Sequence, residues 1–246
     1  MGEKNSHMVD ESPLAFRIGA RREEEKAIIE RLCRGRRPVG TQTDLIYQGQ
    51  SVRRGYILIS GWASSYKMMP DGSRQIIDIR IPGDFMGLQS MLLRRSGYTT
   101  RPITDIQVAE IQLDDLFEVF ACSPELARAI LRTVSQDGAA IAERLVSLGR
   151  RTAFERVAHF MLELGARLAL VGQGDETGFA CPLTQYHLAD ALGLSAVHTN
   201  RIIRQLRVQG MMTFRDGYVT FDSRDRLISL VGFDPAHLQP MHINHP

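Results

Sequence analysis

The sequence predicts an α+β protein in which an N-terminal β-roll of the jelly-roll type precedes a long helix and a C-terminal winged helix-turn-helix. Three observations predict this order. Short alternating apolar and polar segments fill residues 41–113, one apolar stripe with helical spacing follows from residue 123, and two capped helices with a hairpin occupy residues 183–221. We expect an arm over residues 1–22, the roll over 23–122, a dimerisation helix over 123–149 and the winged helix-turn-helix over 150–246.

The composition is that of an ordinary folded protein and excludes several classes. Of 246 residues, 43% are hydrophobic and 24% are charged, which excludes bulk disorder and collagen-like chains. The net charge is only +2, so any basic function must be local. No apolar run approaches the ~18 residues of a membrane span, and residues 1–10 lack an apolar signal core, so we expect a cytoplasmic protein without a membrane partner. The three cysteines are widely spaced, which excludes a disulfide framework; they are Cys33, Cys122 and Cys181. We also predict no metal site.

The roll is predicted from short strands that are separated by glycine and proline. After a short helix through Leu32, the predicted strands cover residues 44–47, 55–59, 62–68, 75–81 and 106–113. In the fourth strand, three isoleucines alternate with Asp78 and Arg80, which is the pattern of a strand with one buried and one solvent-exposed face. Many short strands of this kind are typical of a small barrel or jelly roll.

The long helix is predicted to begin after Ser123, a favourable N-cap, with Pro124 in the first helical position. Its apolar stripe consists of Leu126, Ile130, Val134, Ile141, Leu145 and Leu148. A helix of ~25 residues is ~37 Å long, more than a small barrel needs. We therefore expect the same helix of a second copy as its partner, with packing on the roll alone as the alternative. Gly149 is predicted to end this helix, and a capping box of Thr152 and Glu155 to open the next one, through Leu170.

Residues 183–221 contain the most specific local signals. Thr184 is the predicted N-cap of a first short helix, Gly193 breaks it, and Ser195 caps a second helix that runs to Gln209. A hairpin over residues 212–221 follows, with Asp-Gly as its two-residue turn. Two helices joined by a short turn and followed by a hairpin form a winged helix-turn-helix.

The second of these helices carries the candidate contacts to DNA. Helix 195–209 has three arginines and no acidic residue, which favours binding to a polyanion. Arg201 could bind a guanine edge through two hydrogen bonds, and Asn200 could pair with an adenine. The predicted inward contacts are Val197, Ile202, Ile203 and Leu206. The candidate DNA-binding residues are Thr184, Gln185, Ser195, Val197, His198, Asn200, Arg201, Arg204 and Arg215. The alternative is a protein-binding module with a solvated basic face.

Three segments resemble the Crp–Fnr family, named for the cyclic-AMP receptor protein and the fumarate–nitrate regulator. They are PGDFMG at residues 82–87, RRTAFERVA at 150–158, and the helix-turn-helix block at 183–201. The resemblance covers about residues 25 to 231. It implies a sensory roll similar to a cyclic-nucleotide-binding domain, a homodimer, and binding to a palindromic site in double-stranded DNA, and it allows RNA polymerase as a further partner.

The sequence departs from the family pattern where ligands are recognised. Family members that bind cyclic nucleotides have a Gly-Glu pair for the ribose, whereas this chain has Gln89 at the expected glutamate. Their phosphate-binding arginine is matched only by Arg101, which is out of register and precedes Pro102. Only Cys33 lies near the N-terminus, whereas an iron–sulfur cluster needs about four cysteines. We therefore expect no cofactor and an effector that is neither a typical cyclic nucleotide nor such a cluster.

Two residues keep alternative interpretations. Many family members have a glutamate where this chain has Val197, so this side chain could instead contact a thymine methyl group. Cys181 lies at the entry to the helix-turn-helix, where oxidation could disturb DNA binding, although a small buried apolar side chain is the favoured interpretation.

Other function classes are a cyclic-nucleotide-responsive regulator, a ligand-gated regulatory subunit, and an enzyme gated by a nucleotide-binding roll. An enzyme would need a catalytic module after residue 150. That region contains no phosphate-binding glycine motif, no nucleophile elbow and no suitably spaced pair of carboxylates. We therefore predict that the chain is not an enzyme.

Overall fold

The computed structural model describes residues 12–20 and 22–238, except for the side chain of His237. Most of the predicted arm, residues 1–11, lies outside the described residues, as do residues 239–246. The elements, in chain order, are α1 (Pro13–Ile18), α2 (Glu23–Leu32), β1 (Arg36–Val39), β2 (Arg54–Ser60), β3 (Ala63–Met68), β4 (Arg74–Arg80), β5 (Phe85–Met86), α3 (Leu88–Leu93), β6 (Thr99–Pro102), β7 (Ile106–Gln112), α4 (Leu113–Cys122), α5 (Pro124–Arg150), α6 (Ala153–Leu170), β8 (Gly178–Ala180), α7 (Gln185–Leu192), α8 (Ala196–Val208), β9 (Thr213–Arg215), β10 (Tyr218–Thr220) and α9 (Arg224–Val231).

The N-terminal unit is a roll of two antiparallel sheets, as the sequence predicts. One sheet has the order β1-β7-β2-β5 and the other β4-β3-β6. Side chains such as Leu58, Ile106 and Val108 are buried within the roll, where they form its apolar core. Helices α1, α2, α4 and the first part of α5 cover a second apolar cluster on the outer side of β2 and β7.

Two predictions about the roll are wrong. Residues 44–47 do not form a strand, because only an isolated bridge joins Ile46 to Thr100. In β4, Asp78 and Arg80 are 4% and 6% exposed, not solvent-facing as their alternation with isoleucine predicts. The reason is that α5 and α6 supply their ion-pair partners: Arg144 and Arg167 pair with Asp78, and Asp137 pairs with Arg80. Helix α7 lies beside β4, the edge strand of its sheet, and pairs with its Arg74. Helix α4, which the sequence pattern did not predict, connects the roll to α5.

Helix α5 begins as predicted, with the Ser123 hydroxyl accepting a hydrogen bond from the Leu126 amide at 3.3 Å. It does not end at Gly149 but continues to Arg150, because the capping box of Thr152 opens α6 directly afterwards. The early part of its apolar stripe is buried against the roll, since Leu126 is 2% exposed. The later part, from Val134 onwards, lies largely in the open.

The C-terminal unit is a winged helix-turn-helix. Helices α6, α7, α8 and α9 surround a three-stranded sheet of order β8-β10-β9. The caps are those that the sequence predicts: Thr184 and Ser195 accept hydrogen bonds from the third residue of α7 and α8, and Gly193 adopts a φ of 62° between them. No helix in the described part of the chain is long and apolar enough to span a membrane.

Helix α7 also packs against β4, so the two units are in direct contact. The Arg74 guanidinium donates to Asp190 of α7 at 2.6 and 2.8 Å. The Gln75 amide donates to the backbone carbonyl of Ala191 at 3.3 Å. At the junction of α5 and α6, Arg156 donates to the carbonyls of Leu192 and Leu148, which ties α6 to α7 and to the end of α5. Because α7 packs against β4 on one side, the opposite side of the helix-turn-helix faces away from the roll.

Candidate nucleic-acid interface

Helix α8 is held by one buried face. Thr199 and Leu206 are 0% exposed and Ile202 is 5% exposed, and these positions follow the three- and four-residue spacing of a helix face. The Thr199 hydroxyl donates to the Ser195 carbonyl at 3.0 Å, while the Ser195 hydroxyl accepts from the His198 amide at 3.1 Å. The first turn of α8 is therefore fixed, with its remaining backbone amides at an exposed helix end.

The inward contact predicted for Val197 is wrong, because its side chain is 83% exposed. Thr199 takes the buried position instead, since it is 0% exposed and its hydroxyl donates to the Ser195 carbonyl in the previous turn. Ile202 and Leu206 are buried as predicted, and Ile203 is half-buried. The other interpretation of Val197, an apolar side chain facing outward from the helix, agrees with this exposure.

The charged side chains on the exposed face of α8 are all basic. Arg201, Arg204 and Arg207 are exposed, as is Asn200 next to Arg201, and His198 is half-buried. No carboxylate within the described residues forms an ion pair with any of these three arginines, and no acidic residue lies on α8. Each guanidinium therefore keeps its donors available for an anion.

The N-terminus of α7 presents the other predicted contacts. Thr184 and Gln185 are exposed, and the Thr184 hydroxyl accepts from the His187 amide at 3.3 Å. The Thr184 amide in turn donates to Nδ1 of His187 at 3.1 Å. Burial lowers the pKa of His187, with Arg74 acting in the same direction. His187 therefore caps the helix as a neutral imidazole.

The wing places the last predicted residue at a hairpin tip. Asp216 and Gly217 have φ values of 52° and 74°, as a two-residue turn with left-handed residues requires. Arg215 precedes this turn and is 74% exposed, with its Nε 3.5 Å from a similarly exposed Asp216 carboxylate. An ion pair between two exposed groups is weak, so Arg215 is available to a phosphate.

A cavity of about 280 Å³ separates the roll from α5. Gly87, Leu88 and Gln89 line it from the roll, and Asp137 and Ile141 line it from α5. Arg101 does not line this cavity, because its guanidinium forms a two-point ion pair with Asp44. Arg101, which the sequence places out of register with the family's phosphate-binding arginine, is therefore also away from the cavity in the structure.

Cys181, at the entry to the helix-turn-helix, shows no sign of reactivity. Cys181 is 1% exposed, and burial raises the pKa of its thiol to about 12. A thiol with so high a pKa forms almost no thiolate at neutral pH, and the thiolate is the form that oxidants attack. This agrees with the favoured interpretation of Cys181 as a small buried apolar side chain.

Within the described residues, no cluster of histidine, cysteine and carboxylate side chains could hold a metal ion.

Comparison with known proteins agrees with this architecture. The family model of the Crp-like helix-turn-helix domain matches residues 155–230, and that of the cyclic nucleotide-binding domain matches residues 36–122. An anaerobic regulatory protein of Haemophilus influenzae is 25% identical over 210 residues, which are 85% of this chain and 81% of that protein. The nitrogen fixation regulation protein FixK of Bradyrhizobium diazoefficiens is 28% identical over 76% of this chain and 78% of its own length.

Solved structures show the same fold. The structure of FixK2 from Bradyrhizobium japonicum has a TM-score of 0.70 and 26% identity, and the match covers 79% of this chain and 96% of that one. TTHB099, a regulator of the CRP family from Thermus thermophilus, has a TM-score of 0.62 at 16% identity, covering 80% and 97% of the two chains, which supports the fold alone. Relatives and fold are those of transcription regulators rather than enzymes. With a cyclic nucleotide-binding domain over residues 36–122, a long helix and a Crp-like helix-turn-helix domain over residues 155–230, the chain has the domain architecture of the Crp–Fnr transcription regulators.

Proposed function

We propose that this regulator is a homodimer that binds a palindromic site in double-stranded DNA, with α8 of each chain in the major groove. The observation that carries this proposal is the outer face of α8, which is exposed, free of acidic residues and lined by three arginines without ion-pair partners among the described residues. A helix of this kind fits the major groove and its phosphates.

The dimer is proposed from the open half of α5. Leu145 is 73% exposed, Val134 45% and Ile141 44%, although they continue the stripe that is buried nearer the start of the helix. Gly138 lies on this helix at the edge of the cavity, and a Cβ added to it would meet no atom within 4 Å. Covering this stripe with the same helix of a second chain removes apolar surface from water. Two recognition helices would then lie ~34 Å apart, one turn of B-DNA.

The side chains have distinct proposed roles. Arg201 and Asn200 read base edges from the groove-facing side of α8, and the exposed Val197 contacts a thymine methyl group. Phosphates are bound by the remaining candidates, which are Thr184, Gln185, Ser195, His198, Arg204 and Arg215. The capped N-termini of α7 and α8 add backbone amides to this set.

The first test is selection of a duplex from a random pool, followed by a mobility-shift titration. We expect a symmetric selected site, two chains per duplex by sedimentation, and steep weakening with salt. If ~6–10 phosphates are contacted, affinity falls roughly 10³- to 10⁵-fold between ~50 and ~200 mM salt. A single chain per duplex, or affinity that is insensitive to salt, would contradict the proposal.

We further infer that the effector is not a typical cyclic nucleotide. Gln89 supplies an amide where a carboxylate would accept from a ribose hydroxyl, and Arg101 is engaged by Asp44 outside the cavity. The arginine that does line the cavity, Arg80, is already paired with Asp78 at 3.0 Å and Asp137 at 2.8 Å. No unpaired cation is therefore present among the described lining residues for a cyclic phosphate.

The match of residues 36–122 to the cyclic nucleotide-binding domain favours the alternative, a cyclic-nucleotide-responsive regulator. Isothermal titration with cyclic AMP and cyclic GMP distinguishes the two. We expect no heat of binding at micromolar ligand, because the ribose and phosphate partners are missing. Micromolar binding of either nucleotide would establish the alternative.

A further inference from the structure

Eight buried or largely buried charged groups meet where the roll contacts the long helices. Four are guanidinium groups and four are carboxylates, so the formal charges balance. The residues are Arg17, Asp78, Arg80, Asp84, Asp137, Arg144, Glu163 and Arg167. We call this group the ion cluster. It joins α1, β4 with the following turn, α5 and α6, and it therefore includes both folded units of the chain.

On the side of the DNA-binding unit, the cluster is anchored by Arg167 of α6. Its Nη2 lies 2.7 Å from Asp84 and donates to the Ile79 carbonyl at 3.0 Å, while its Nη1 lies 3.3 Å from Asp78. Its side chain is 4% exposed. A guanidinium so deeply buried needs these partners, since an unpaired buried charge is strongly destabilising. The position of α6 on the roll thus depends on the carboxylates that face Arg167.

On the opposite side, the cluster is closed by Arg17 of the N-terminal helix α1. Its Nη1 lies 2.8 Å from Oδ1 of Asp84, and its Nη2 donates to Asp137 of α5 at 2.9 Å. Asp84 is 0% exposed, so Arg17 and Arg167 share one fully buried carboxylate. The close approach is built into the turn before it, because Gly83 has a φ of 89° and a Cβ there would meet the Pro13 carbonyl.

We propose that α1 is a clasp that holds the DNA-binding unit on the roll, acting through the bridge from Arg17 to Asp84 to Arg167. Without Arg17, four buried carboxylates face three guanidinium groups, and the excess negative charge falls on the carboxylate that anchors α6. The clasp then sets how firmly α6 and α7 stay docked on β4. The expected effect on DNA binding rests on the function proposed above. In the docked arrangement, the basic face of α8 is exposed.

Hydrogen exchange on the full-length chain tests the clasp without DNA. β4 is an edge strand that α7 covers, so undocking exposes its outer amides. We expect Arg17→Gln to raise exchange about tenfold in residues 74–80, within the usual range of coupling between sites. The control is Arg31→Gln, which breaks an exposed ion pair with Glu118 and should leave these residues unchanged. Faster exchange only in residues 12–20, or an equal effect of the control, would overturn the proposal.

A double variant separates charge balance from a general loss of stability. Arg17→Gln combined with Asp137→Asn leaves three cations and three anions, and we expect exchange in residues 74–80 to return toward the wild-type rate. Additive or larger exchange in the double variant would contradict the electrostatic clasp. Arg17→Lys retains the positive charge without the two-point bridge, so exchange in residues 74–80 should lie between the wild-type and Arg17→Gln rates. Exchange as fast as in Arg17→Gln would also contradict the electrostatic clasp.

Binding to the selected duplex gives the second readout. Arg17→Gln should weaken affinity about tenfold, while Arg31→Gln should not change it. Unchanged affinity for Arg17→Gln alongside faster exchange would overturn the link to DNA binding. If the wild-type chain binds no duplex at all, the proposed function fails, whereas the exchange experiment still decides whether α1 acts as a clasp.

Discussion

Replacing Arg201 with alanine should abolish sequence-specific DNA binding while leaving the fold intact. The side chain is exposed on α8, and its neighbours Thr199 and Ile202 anchor the helix from the buried face. Alanine has the higher helix propensity, so the helix itself should not be weakened. The change therefore removes the guanidinium that we propose faces the groove, and little else.

The size of this effect follows from the proposed symmetry. A bidentate contact between arginine and guanine contributes about 1–3 kcal/mol to discrimination. Two half-sites double this to about 2–6 kcal/mol, which is a loss of roughly 30-fold or more for the selected site. Mobility-shift titrations with the selected duplex and a scrambled duplex measure both terms, and we expect the two affinities to converge in Arg201→Ala.

Arg215→Ala is the matched control on the wing. Its exposed guanidinium lies at the hairpin tip, where we propose that it contacts a phosphate and no base edge. The control should weaken both duplexes by a similar factor and reduce the salt dependence by about one phosphate contact. The reverse result, with specificity lost in Arg215→Ala and retained in Arg201→Ala, would show that α8 is misplaced in the groove.

The helix-turn-helix was predictable because its signals are local. Thr184 and Ser195 are N-caps whose partners lie three residues away, and Gly193 supplies the left-handed residue between the helices. Asp216 and Gly217 fix the hairpin turn in the same way. Such short-range hydrogen bonds and backbone preferences are contained in a few adjacent residues, so a single sequence reveals them.

The errors concern residues whose environment is set by distant parts of the chain. The alternation in β4 predicts a solvated polar face, but Arg144 of α5 and Arg167 of α6 pair with Asp78 there. Nothing in residues 75–81 indicates this partnership. Helical spacing predicts an inward position for Val197, although Thr199 lies on the buried face. Periodicity indicates that a face is apolar or polar, but not which element covers it.

The same limit explains what sequence patterns miss about the arm. The pattern of residues 1–22 predicts only an arm and gives Arg17 no role. In the structure, α1 packs against α5 and places Arg17 within the ion cluster, with 5% of its side chain exposed. The partners of Arg17 lie 67 and 120 positions further along the chain, so no local signal could have identified them.

Replacing Asp78 with asparagine should destabilise the protein more than any surface substitution. Its carboxylate lies 2.7 Å from Arg144, 3.0 Å from Arg80 and 3.3 Å from Arg167. Removing the charge leaves three buried guanidinium groups with fewer anions, and breaking a buried ion pair in this way costs about 3–5 kcal/mol. Urea unfolding followed by the fluorescence of Trp62, the only tryptophan, measures this loss.

The control for this variant is Glu110→Gln, which breaks an ion pair at the surface of the roll. Arg54 in that pair is 61% exposed, and Glu110 is 25% exposed. Solvent screens such pairs, so the expected loss is about 1 kcal/mol or less. Equal losses in Asp78→Asn and Glu110→Gln would show that the ion cluster contributes no more than an ordinary surface pair.

The contribution of Asp78 should also depend on pH with a defined sign. Burial alone would raise the pKa of Asp78, but the guanidinium groups of Arg80, Arg144 and Arg167 outweigh it and hold the pKa far below its usual range. A carboxyl group with a depressed native pKa stabilises the fold above its unfolded pKa of about 3.9 and loses that contribution as the pH falls toward the native pKa. The difference in unfolding free energy between wild type and Asp78→Asn should therefore be constant above about pH 5 and shrink by about 1.4 kcal/mol per pH unit below about pH 4. A difference that grows in acid would mean that Asp78 is protonated in the native protein and that the cluster is held by hydrogen bonds rather than by charge.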